Sequence, residues 1–372
     1  MTRRMRVVHL SRGYEDYVIG LASQLAPFVD LHLVLAESDL WLAEHIPAGV
    51  NVISSRAPRV SKISNAGHML ALGKTIRQLG PDVIHYQSGV LWEGMFPRWG
   101  TRSRTVTTVH DVVHHPHRAR LQFTPQVLLD RLATRSDAVI VHGESLRTLA
   151  MSRYAKDGAT NRPIFIVPHP VIHRYGTGQA RPAAGRNILF FGSLDQWKGI
   201  EVLIQAMELL TPMLPGVELK IAGGSRDPDY YRSLPYTYSN ISWDIRRQSD
   251  NDVQRLFSWA DIVVLPYIEA SQSGVLHLAQ SFAVPVVATR VGALPETINE
   301  GETGLLVPPS NPAELASAMH TLLTDAALRE KVIGNITRRR NTEFSEHSIG
   351  TSTELIYRKL TAGSTTTGQT TS

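Results

Sequence analysis

Residues 261–298 have the sequence DIVVLPYIEASQSGVLHLAQSFAVPVVATRVGALPETI, in which two apolar runs flank a polar loop and a helix-length segment. It begins with a short apolar run rich in β-branched side chains, which ends at Pro266. Such a run is typical of a strand that is buried on both faces of a parallel sheet. A polar loop follows, then an apolar segment of helical length over 275–283, and then a second buried strand that begins at Pro285. Strand, helix and strand in this order predict one unit of a doubly wound parallel sheet.

The loop before the helix combines two kinds of polar group. Ser273 and Gly274 stand where a helix begins beyond the carboxyl end of a strand. Free backbone N–H groups and the positive end of the helix dipole meet there, so the place suits an anion such as a diphosphate. Glu269 is the one carboxylate of the loop, and it suits a neutral, hydroxylated group rather than a phosphate. A sugar joined to a diphosphate fits both halves of this predicted site.

The same alternation of short apolar strands and helices continues on both sides of this stretch. Residues 173–186 interrupt it, because they are rich in Gly, Pro and Ala and have no apolar period, which indicates a linker. We therefore predict an α/β protein with two Rossmann-like, doubly wound domains, at 1–176 and 187–344, facing a cleft. A last helix is predicted at about 346–360. The low-complexity tail 361–372 is predicted to be disordered.

Length and composition exclude several classes of protein. A chain of 372 residues exceeds one ordinary core, and its 42% hydrophobic and 19% charged residues are those of a soluble globular protein. The absence of cysteine excludes disulfides, thiolate catalysis and Cys-based zinc sites. No apolar run approaches the roughly 18 residues of a membrane span, and the N-terminus is unlike a secretory signal. We expect a cytoplasmic protein.

The charge is unevenly distributed along the chain. Residues 1–176 hold 21 Lys and Arg against 13 Asp and Glu, a net +8, whereas residues 177–372 hold 17 against 20, a net −3. A basic half suggests a surface that meets anions. No nucleic-acid motif is present, so we expect an anionic membrane surface or a lipid-phosphate acceptor, with a solvated basic surface as the alternative.

A second glycine-containing turn is found in residues 190–203, FFGSLDQWKGIEVL. Gly192 lets the chain turn at the end of a predicted strand. Lys198, near the start of the next helix, can reach a diphosphate as a point charge. The alternative interpretation of Lys198 is a solvated lysine beside a loop.

A run of histidines follows the predicted strand RTVTTV. His110 lies at the end of this strand, and His114, His115 and His117 lie in the segment beyond it. Imidazoles are good metal ligands, but Pro116 breaks any helix and no carboxylate stands at helical spacing. We therefore favour a flexible acceptor loop over a metal site.

Two Asp-x-Asp tripeptides could also hold a divalent cation, at 227–229 and 250–252. The second stands at the start of a predicted helix, where Ser249 and Asp252 suggest a helix cap. No metal and no other cofactor is expected.

Taken together, these motifs resemble the retaining GT-B glycosyltransferases of the family 4 type. The donor site of that family has a Glu, about seven residues, a second Glu, and an apolar strand that begins Pro-Val. The subgroup with Ser-Gly-Val in the loop, often found in polysaccharide assembly, is most similar. The resemblance covers nearly the whole chain and is strongest over 187–309. It implies a GT-B architecture in which the C-terminal helix packs back on the first domain.

The resemblance also implies roles for individual residues. Two would act at the donor sugar as catalytic residues, His110 and Glu269. Seven would bind the donor: Gly13, Ser193, Lys198, Gln272, Ser273, Gly274 and Val275. Three departures stand out, because the second Glu falls near Leu278 or Ala279, Ser193 replaces an Arg, and Gly13 alone remains of two adjacent glycines.

The function implied is the transfer of a hexose from a sugar nucleotide, expected to be UDP-linked, with retention at the anomeric carbon. The acceptor is expected to be a saccharide or a lipid-linked saccharide. Two alternatives remain open at this point. One is a GT-B-type sugar-nucleotide epimerase, and the other is a catalytically silent sugar-nucleotide-binding partner of another transferase.

Overall fold

The computed structural model describes residues 3–11, 14–55, 66–87, 98–112, 126–154, 162–170, 172, 174–176, 185–234 and 238–362. The chain divides into two compact units. The first unit consists of Met1–Pro170 with Phe344–Ser372, and the second unit is Val171–Glu343. The predicted linker at 173–186 lies within the bounds of the second unit, and its residues 173 and 177–184 are outside the described part of the chain.

The first unit is built on a sheet of seven parallel strands. Their bounds are β1 Arg6–Leu10, β2 Asp30–Ala36, β3 Asn51–Ser55, β4 Val83–Gln87, β5 Arg104–Thr108, β6 Ala138–Val141 and β7 Ile164–Ile166. The spatial order is β3-β2-β1-β4-β5-β6-β7. The direction of strand addition therefore reverses between β1 and β4, which is the switch point where doubly wound sheets bind ligands.

Helices cover this sheet on both faces. Their bounds are α1 Glu15–Leu25, α2 Ala66–Leu79, α3 Gln126–Arg135, α4 Glu144–Tyr154 and, from the end of the chain, the last helix Glu346–Ala362. A 3-10 helix over Glu37–His45, which the sequence did not predict, follows β2. The last helix ends two residues beyond its predicted bound, and the rest of the predicted tail, 363–372, lies outside the described residues.

The second unit repeats the pattern with six parallel strands. They are β8 Asn187–Phe191, β9 Glu218–Ala222, β10 Ile241–Asp244, β11 Ile262–Leu265, β12 Val286–Thr289 and β13 Gly304–Val307. The order β10-β9-β8-β11-β12-β13 places the switch point between β8 and β11. The predicted α/β class with two Rossmann-like, doubly wound sheets is thus confirmed.

Seven α-helices and a short 3-10 helix, Gln196–Lys198, accompany these strands in the described part of the second unit. They are α5 Ile200–Met213, α6 Pro228–Arg232, α7 Asp250–Trp259, α8 Gly274–Ser281, α9 Leu294–Thr297, α10 Pro312–Thr324 and α11 Ala326–Asn341. The last helix of the first unit is numbered α12. The sequence did not predict α11, whose residues are polar on most sides and bury few side chains.

The core of the first unit contains a pair of buried histidines. His9 on β1 and His85 on β4 are register partners, and their rings stack with centroids 4.7 Å apart. His85 hydrogen-bonds to the Tyr357 hydroxyl through Nδ1 (2.6 Å) and to Thr108 Oγ1 through Nε2 (2.7 Å). Tyr357 belongs to α12, which therefore docks on the sheet through a buried polar contact as well as through its apolar residues.

His9 differs from His85 because neither of its ring nitrogens has a hydrogen-bond partner among the described residues. Its side chain is fully buried. Burial lowers the pKa of His9 from 6.5 to about 3, because the charged form would lose its hydration. The folded protein therefore keeps His9 neutral at any pH near neutrality.

This neutrality predicts a dependence of stability on pH. The unfolded chain takes up a proton on His9 below about pH 6.5 and the folded chain does not, so stability is complete above that pH and falls as the pH drops towards 3. As the pH drops from 7 to 5, we expect the protonation of His9 in the unfolded chain to lower the free energy of unfolding by about 2 kcal/mol. His9→Leu should remove that part of the loss, as measured by urea unfolding at the two pH values.

His68 provides the control, since its side chain is exposed on α2. His68→Gln should leave the difference between the two pH values as it is in the unmodified protein. An equal loss of stability in His9→Leu and the unmodified protein would show that His9 is not held neutral by the fold.

Candidate functional site

The predicted anion site lies at the switch point of the second sheet. Gly192 directly follows β8, and Tyr267 follows β11 by two residues. The ends of these two adjacent strands leave a crevice because the chain departs from them in opposite directions. A Cβ atom added at Gly192 would lie 3.0 Å from Lys198 Nζ and 3.3 Å from Val275 Cγ2, so both side chains border this turn.

Lys198 is a buried cation in this crevice. Its residue is 6% exposed, and its Nζ lies 5.1 Å from the ring centre of Trp197 and 5.0 Å from that of Tyr267. Nζ is 3.4 Å from the Tyr267 hydroxyl. Within the described part of the chain no carboxylate pairs with Lys198. Burial of an ammonium without a counter-charge is costly, and an anionic ligand would offset that cost.

The Tyr267 hydroxyl links Lys198 to the start of α8. It lies 3.2 Å from Ser273 Oγ, and Ser273 Oγ in turn accepts a hydrogen bond from the Leu276 N–H (3.3 Å). Ser273 thereby caps the helix. At Gly274 an added Cβ would meet nothing within 4 Å, so the space beside the first turn of α8 is open. The open N-terminus of α8 and the buried ammonium of Lys198 can together hold a group with more than one negative charge.

Two glycines hold the surrounding loops in place. Gly199 adopts a left-handed conformation (φ 67°) at the start of α5, and a Cβ there would lie 2.0 Å from the carbonyl oxygen of Pro266. Gly292 has φ 53°, and a Cβ there would lie 1.9 Å from the carbonyl oxygen of Ala270. Both positions require glycine, because the backbone conformation and the close approach each exclude a side chain. The Lys-Gly pair and the turn after β12 thus fix the loop that carries Glu269.

Glu269, predicted to be catalytic, and the remaining residues predicted to bind the donor lie in different surroundings. Glu269 is partly buried, and its neighbour Ile268 donates its N–H to the carbonyl of Trp197 (2.8 Å), beside Lys198. Gln272 is also partly buried. Ser193 is exposed and donates its hydroxyl to Asp195 Oδ2 (2.7 Å). Gly13 lies outside the described residues. The structure brings Lys198, Ser273, Gly274 and Val275 together, and the roles of all these residues stay predictions.

The position of the family's second Glu is occupied by core residues. Leu278 and Ala279 are buried in the hydrophobic core of the second unit and present no polar group. The residue before them, His277, is the polar side chain of this part of α8, and it is 7% exposed. An exact spacing of seven residues from Glu269 leads to His277, so counting forward from Glu269 would have found it.

In the first unit, His110 follows β5 and is almost completely buried. Its ring stacks on that of Tyr14 with centroids 3.9 Å apart and meets Tyr17 edge-on at 4.7 Å. Its Nδ1 lies 3.1 Å from His142 Nε2, and its Nε2 lies 3.1 Å from Gln87 Oε1. Burial, and to a smaller extent the neighbouring His142, lowers the pKa of His110 well below its ordinary value. His110 is therefore a neutral imidazole.

The two Asp-x-Asp tripeptides, at 227–229 and 250–252, stabilise the helices beside them. Asp227 caps α6 by accepting the Tyr230 N–H (3.1 Å). Ser249 and Asp252 form a capping box on α7, which confirms the predicted cap, and Asp252 also pairs with Arg246. No group of three or more His, Asp or Glu side chains among the described residues is placed to hold a metal ion. The predicted acceptor loop with His114, His115 and His117 falls outside those residues.

Sequence reasoning did not identify Tyr267, Tyr17 and His142 as part of these sites. Tyr267 could have been suspected, because it is the first polar side chain after a buried strand at the switch point. Tyr17 and His142 come from α1 and from the residue after β6, and only the order of the strands brings them to His110.

Two family profiles match the chain. The profile described as "Glycosyltransferase Family 4" matches residues 11–174, and the profile described as "Glycosyl transferases group 1" matches residues 185–325. Together they cover most of both units.

Curated relatives carry the name D-inositol 3-phosphate glycosyltransferase. One from Corynebacterium efficiens is 32% identical over 191 residues, which is 48% of this chain and 44% of the relative. Another, from Pseudarthrobacter chlorophenolicus, is 26% identical over 356 residues, which is 85% of this chain and 83% of the relative. The match covers 44% of the Corynebacterium efficiens relative, and it covers 61% and 37% of two further relatives of the same name, from Corynebacterium glutamicum and Arthrobacter. In these comparisons the chain thus spans about half the length of the curated relatives.

Solved structures share the fold. Sucrose-phosphate synthase from Thermosynechococcus elongatus superposes with a TM-score of 0.75 at 21% identity, over 97% of this chain and all of that one. The Anabaena protein HepE, solved in complex with UDP-glucose, gives a TM-score of 0.70 at 18% identity, over 96% of this chain and all of that one. Within the described residues, none of the helices combines the length and the apolar character that a bilayer crossing requires.

Proposed function

The chain belongs to the GT-B glycosyltransferases of the family 4 type, and on that premise we propose that it transfers a hexose from a UDP-sugar to a hydroxyl group of a saccharide or lipid-linked saccharide, with retention at the anomeric carbon. The observation that carries the proposal is the buried ammonium of Lys198 beside the open start of α8. A nucleoside diphosphate has the charge and the size to meet both. HepE, which shares the fold, was solved with UDP and with UDP-glucose, and this supports the choice of donor.

The proposed mechanism is a front-side attack. The acceptor oxygen forms a bond to the anomeric carbon on the face from which the diphosphate leaves, and the acceptor proton passes to a departing diphosphate oxygen. Lys198 and the backbone N–H groups of Ser273–Val275 stabilise the charge that develops on the diphosphate. Preorganised donors of this kind contribute roughly 3 to 4 kcal/mol each to the transition state.

Two side chains are proposed to act on the sugar rather than on the diphosphate. Glu269 accepts a hydrogen bond from a sugar hydroxyl, since a carboxylate repels phosphate oxygens. His110 contacts the transferred sugar as a neutral imidazole, in keeping with its lowered pKa. Ser193 and Gln272 are proposed to bind the donor as well.

Glu269→Ala should mainly lower the rate of transfer, whereas Lys198→Ala should mainly lower the affinity for the nucleotide. A hydrogen bond to a charged group contributes roughly 1.5 to 3 kcal/mol, so Glu269→Ala should lower the rate of transfer at least tenfold while the affinity for UDP stays near normal. Lys198→Ala should weaken the binding of UDP and of the UDP-sugar alike. Calorimetric titration of each variant with UDP, beside the rate of product formation, measures both effects.

Matched controls exist on the surface of the same unit. Glu330 is exposed on α11, and Lys331 forms an exposed salt bridge with Glu302, so Glu330→Ala and Lys331→Ala should change neither quantity. Loss of UDP binding in Glu269→Ala with retention in Lys198→Ala would refute the proposed placement of the donor. An unmodified protein that binds UDP-sugars but neither transfers nor hydrolyses them would instead favour a silent partner, and an epimerised nucleotide would favour an epimerase.

Transfer is predicted to need no divalent metal. The two Asp-x-Asp segments are engaged in helix caps and arginine pairs, and Lys198 already supplies positive charge at the proposed diphosphate site. EDTA should therefore leave the rate of transfer nearly unchanged in a radiolabelled-donor assay. A large loss that Mg²⁺ or Mn²⁺ restores would contradict this part of the proposal.

We also propose that the first unit binds anionic membranes peripherally. Leu70 on α2 and Val127 on α3 are large apolar side chains, 71% and 70% exposed, in a half of the sequence with net charge +8. Binding to phosphatidylglycerol vesicles in a sedimentation assay should weaken as salt rises, because the Debye length shortens to about 10 Å at 0.1 M. Vesicles of phosphatidylcholine serve as the control. Binding that does not respond to salt, or no binding at low salt, would refute the proposal.

A further inference from the structure

The imidazole of His110 is held by a chain of hydrogen bonds whose direction can be determined. The chain begins at the carbonyl oxygen of Val167, which follows β7. His142 Nδ1 lies 2.9 Å from this oxygen. A carbonyl oxygen can only accept, so His142 Nδ1 carries the proton and donates it.

This first bond determines the next one. Burial lowers the pKa of His142 to about 4, against smaller opposing effects of the Val167 hydrogen bond and of Asp111, so the ring is neutral near pH 7. A neutral imidazole with its proton on Nδ1 has only a lone pair on Nε2. His110 Nδ1 lies 3.1 Å from His142 Nε2 and must therefore be the donor.

The opposite side of the His110 ring follows in turn. With its single proton on Nδ1, neutral His110 has a lone pair on Nε2, which faces the side-chain amide of Gln87. An amide oxygen there would set two acceptors against each other and would leave Gln87 Nε2 without a partner. A half-turn of the amide places its NH₂ group against His110 and resolves both conflicts, because the oxygen and nitrogen of an amide have nearly the same shape.

We infer that His142 is a positioning residue that fixes His110 in the tautomer protonated on Nδ1, and so makes His110 Nε2 a hydrogen-bond acceptor. The rings of Tyr14 and Tyr17, in contact with two sides of His110, hold the plane of the imidazole. The substrate group that this arrangement suits is a donor, such as a sugar hydroxyl, which would take the place of the Gln87 amide. This last step rests on the proposed function.

Two substitutions separate the two hydrogen bonds of His142. The amide nitrogen of asparagine stands where His142 Nδ1 stands, so His142→Asn can keep the bond to Val167 but offers nothing to His110. The amide oxygen of glutamine stands where Nε2 stands, so His142→Gln can accept the His110 proton but loses the bond to Val167. Each variant lacks one neutral hydrogen bond, so the pair is matched for stability.

The first test measures the tautomer directly and does not depend on activity. The full chain labelled with ¹⁵N-histidine is studied by two-bond ¹⁵N–¹H correlation spectra at pH 7.5, and His110→Gln identifies the signal of His110. We expect a protonated Nδ1 and an unprotonated Nε2 in the unmodified protein and in His142→Gln, and a shift towards the other tautomer in His142→Asn. A proton on Nε2 in the unmodified protein would overturn the inference.

The second test measures transfer. His142→Asn should lower kcat at least tenfold and His142→Gln less than threefold, with the affinity for UDP unchanged in both. Equal rates in the two variants, while the tautomer differs as expected, would show that the tautomer has no role in transfer. If the unmodified chain transfers no sugar, the proposed function fails, and the tautomer measured by NMR still decides the role of His142 at His110.

Discussion

The buried ammonium of Lys198 dominates the electrostatics of the crevice in the second unit. A charge with 6% exposure and no carboxylate partner among the described residues reduces the stability of a protein that lacks a ligand. The surroundings lessen this cost through two aromatic faces and a tyrosine hydroxyl, none of which neutralises the charge. The site is thus suited to an anion before any anion arrives, which is the meaning of preorganisation. Gly199 and Gly292 contribute to this preorganisation, because they let the loops around the crevice approach one another closely.

The first unit uses the opposite electrostatic device at its own switch point. Its sheet carries imidazoles on neighbouring strands: His9 and His85 lie within β1 and β4, and His110, His142 and His169 follow β5, β6 and β7. Burial lowers the pKa of His9, His85, His110 and His142, so these four rings are neutral near pH 7. Tyr17 from α1 contacts His110, His142 and His169, so the row is packed as an aromatic layer. Neutral rings can exchange hydrogen bonds with hydroxyl groups without attracting counter-ions, which distinguishes this edge from the cationic crevice around Lys198.

The sequence was sufficient for the features that depend on neighbours along the chain. The buried strands around 261–298, the Lys-Gly pair and the start of a helix at Ser273-Gly274 all follow from local patterns, and the structure confirms the strands and the helix start. Contacts between distant segments could not be predicted. Tyr267 meets Lys198 across 69 positions of sequence, and His142 meets His110 across 32, because the register and order of strands decide both. The helix α11 was missed for another reason, since its polar composition gives a weak apolar period.

The last helix gives the first unit an unusual dependence on the order of synthesis. Its Gly350 packs so closely on α1 that an added Cβ would lie 2.1 Å from the carbonyl oxygen of Gln24, and its Tyr357 closes over His85. The second unit, in contrast, is a continuous stretch of chain. A ribosome therefore releases every residue of the second unit before it supplies the helix that covers the sheet of the first. Until then the face of β1 and β4 that carries His9 and His85 lacks the part of its cover that the last helix supplies, and a chaperone that binds exposed apolar strands would meet its substrate there.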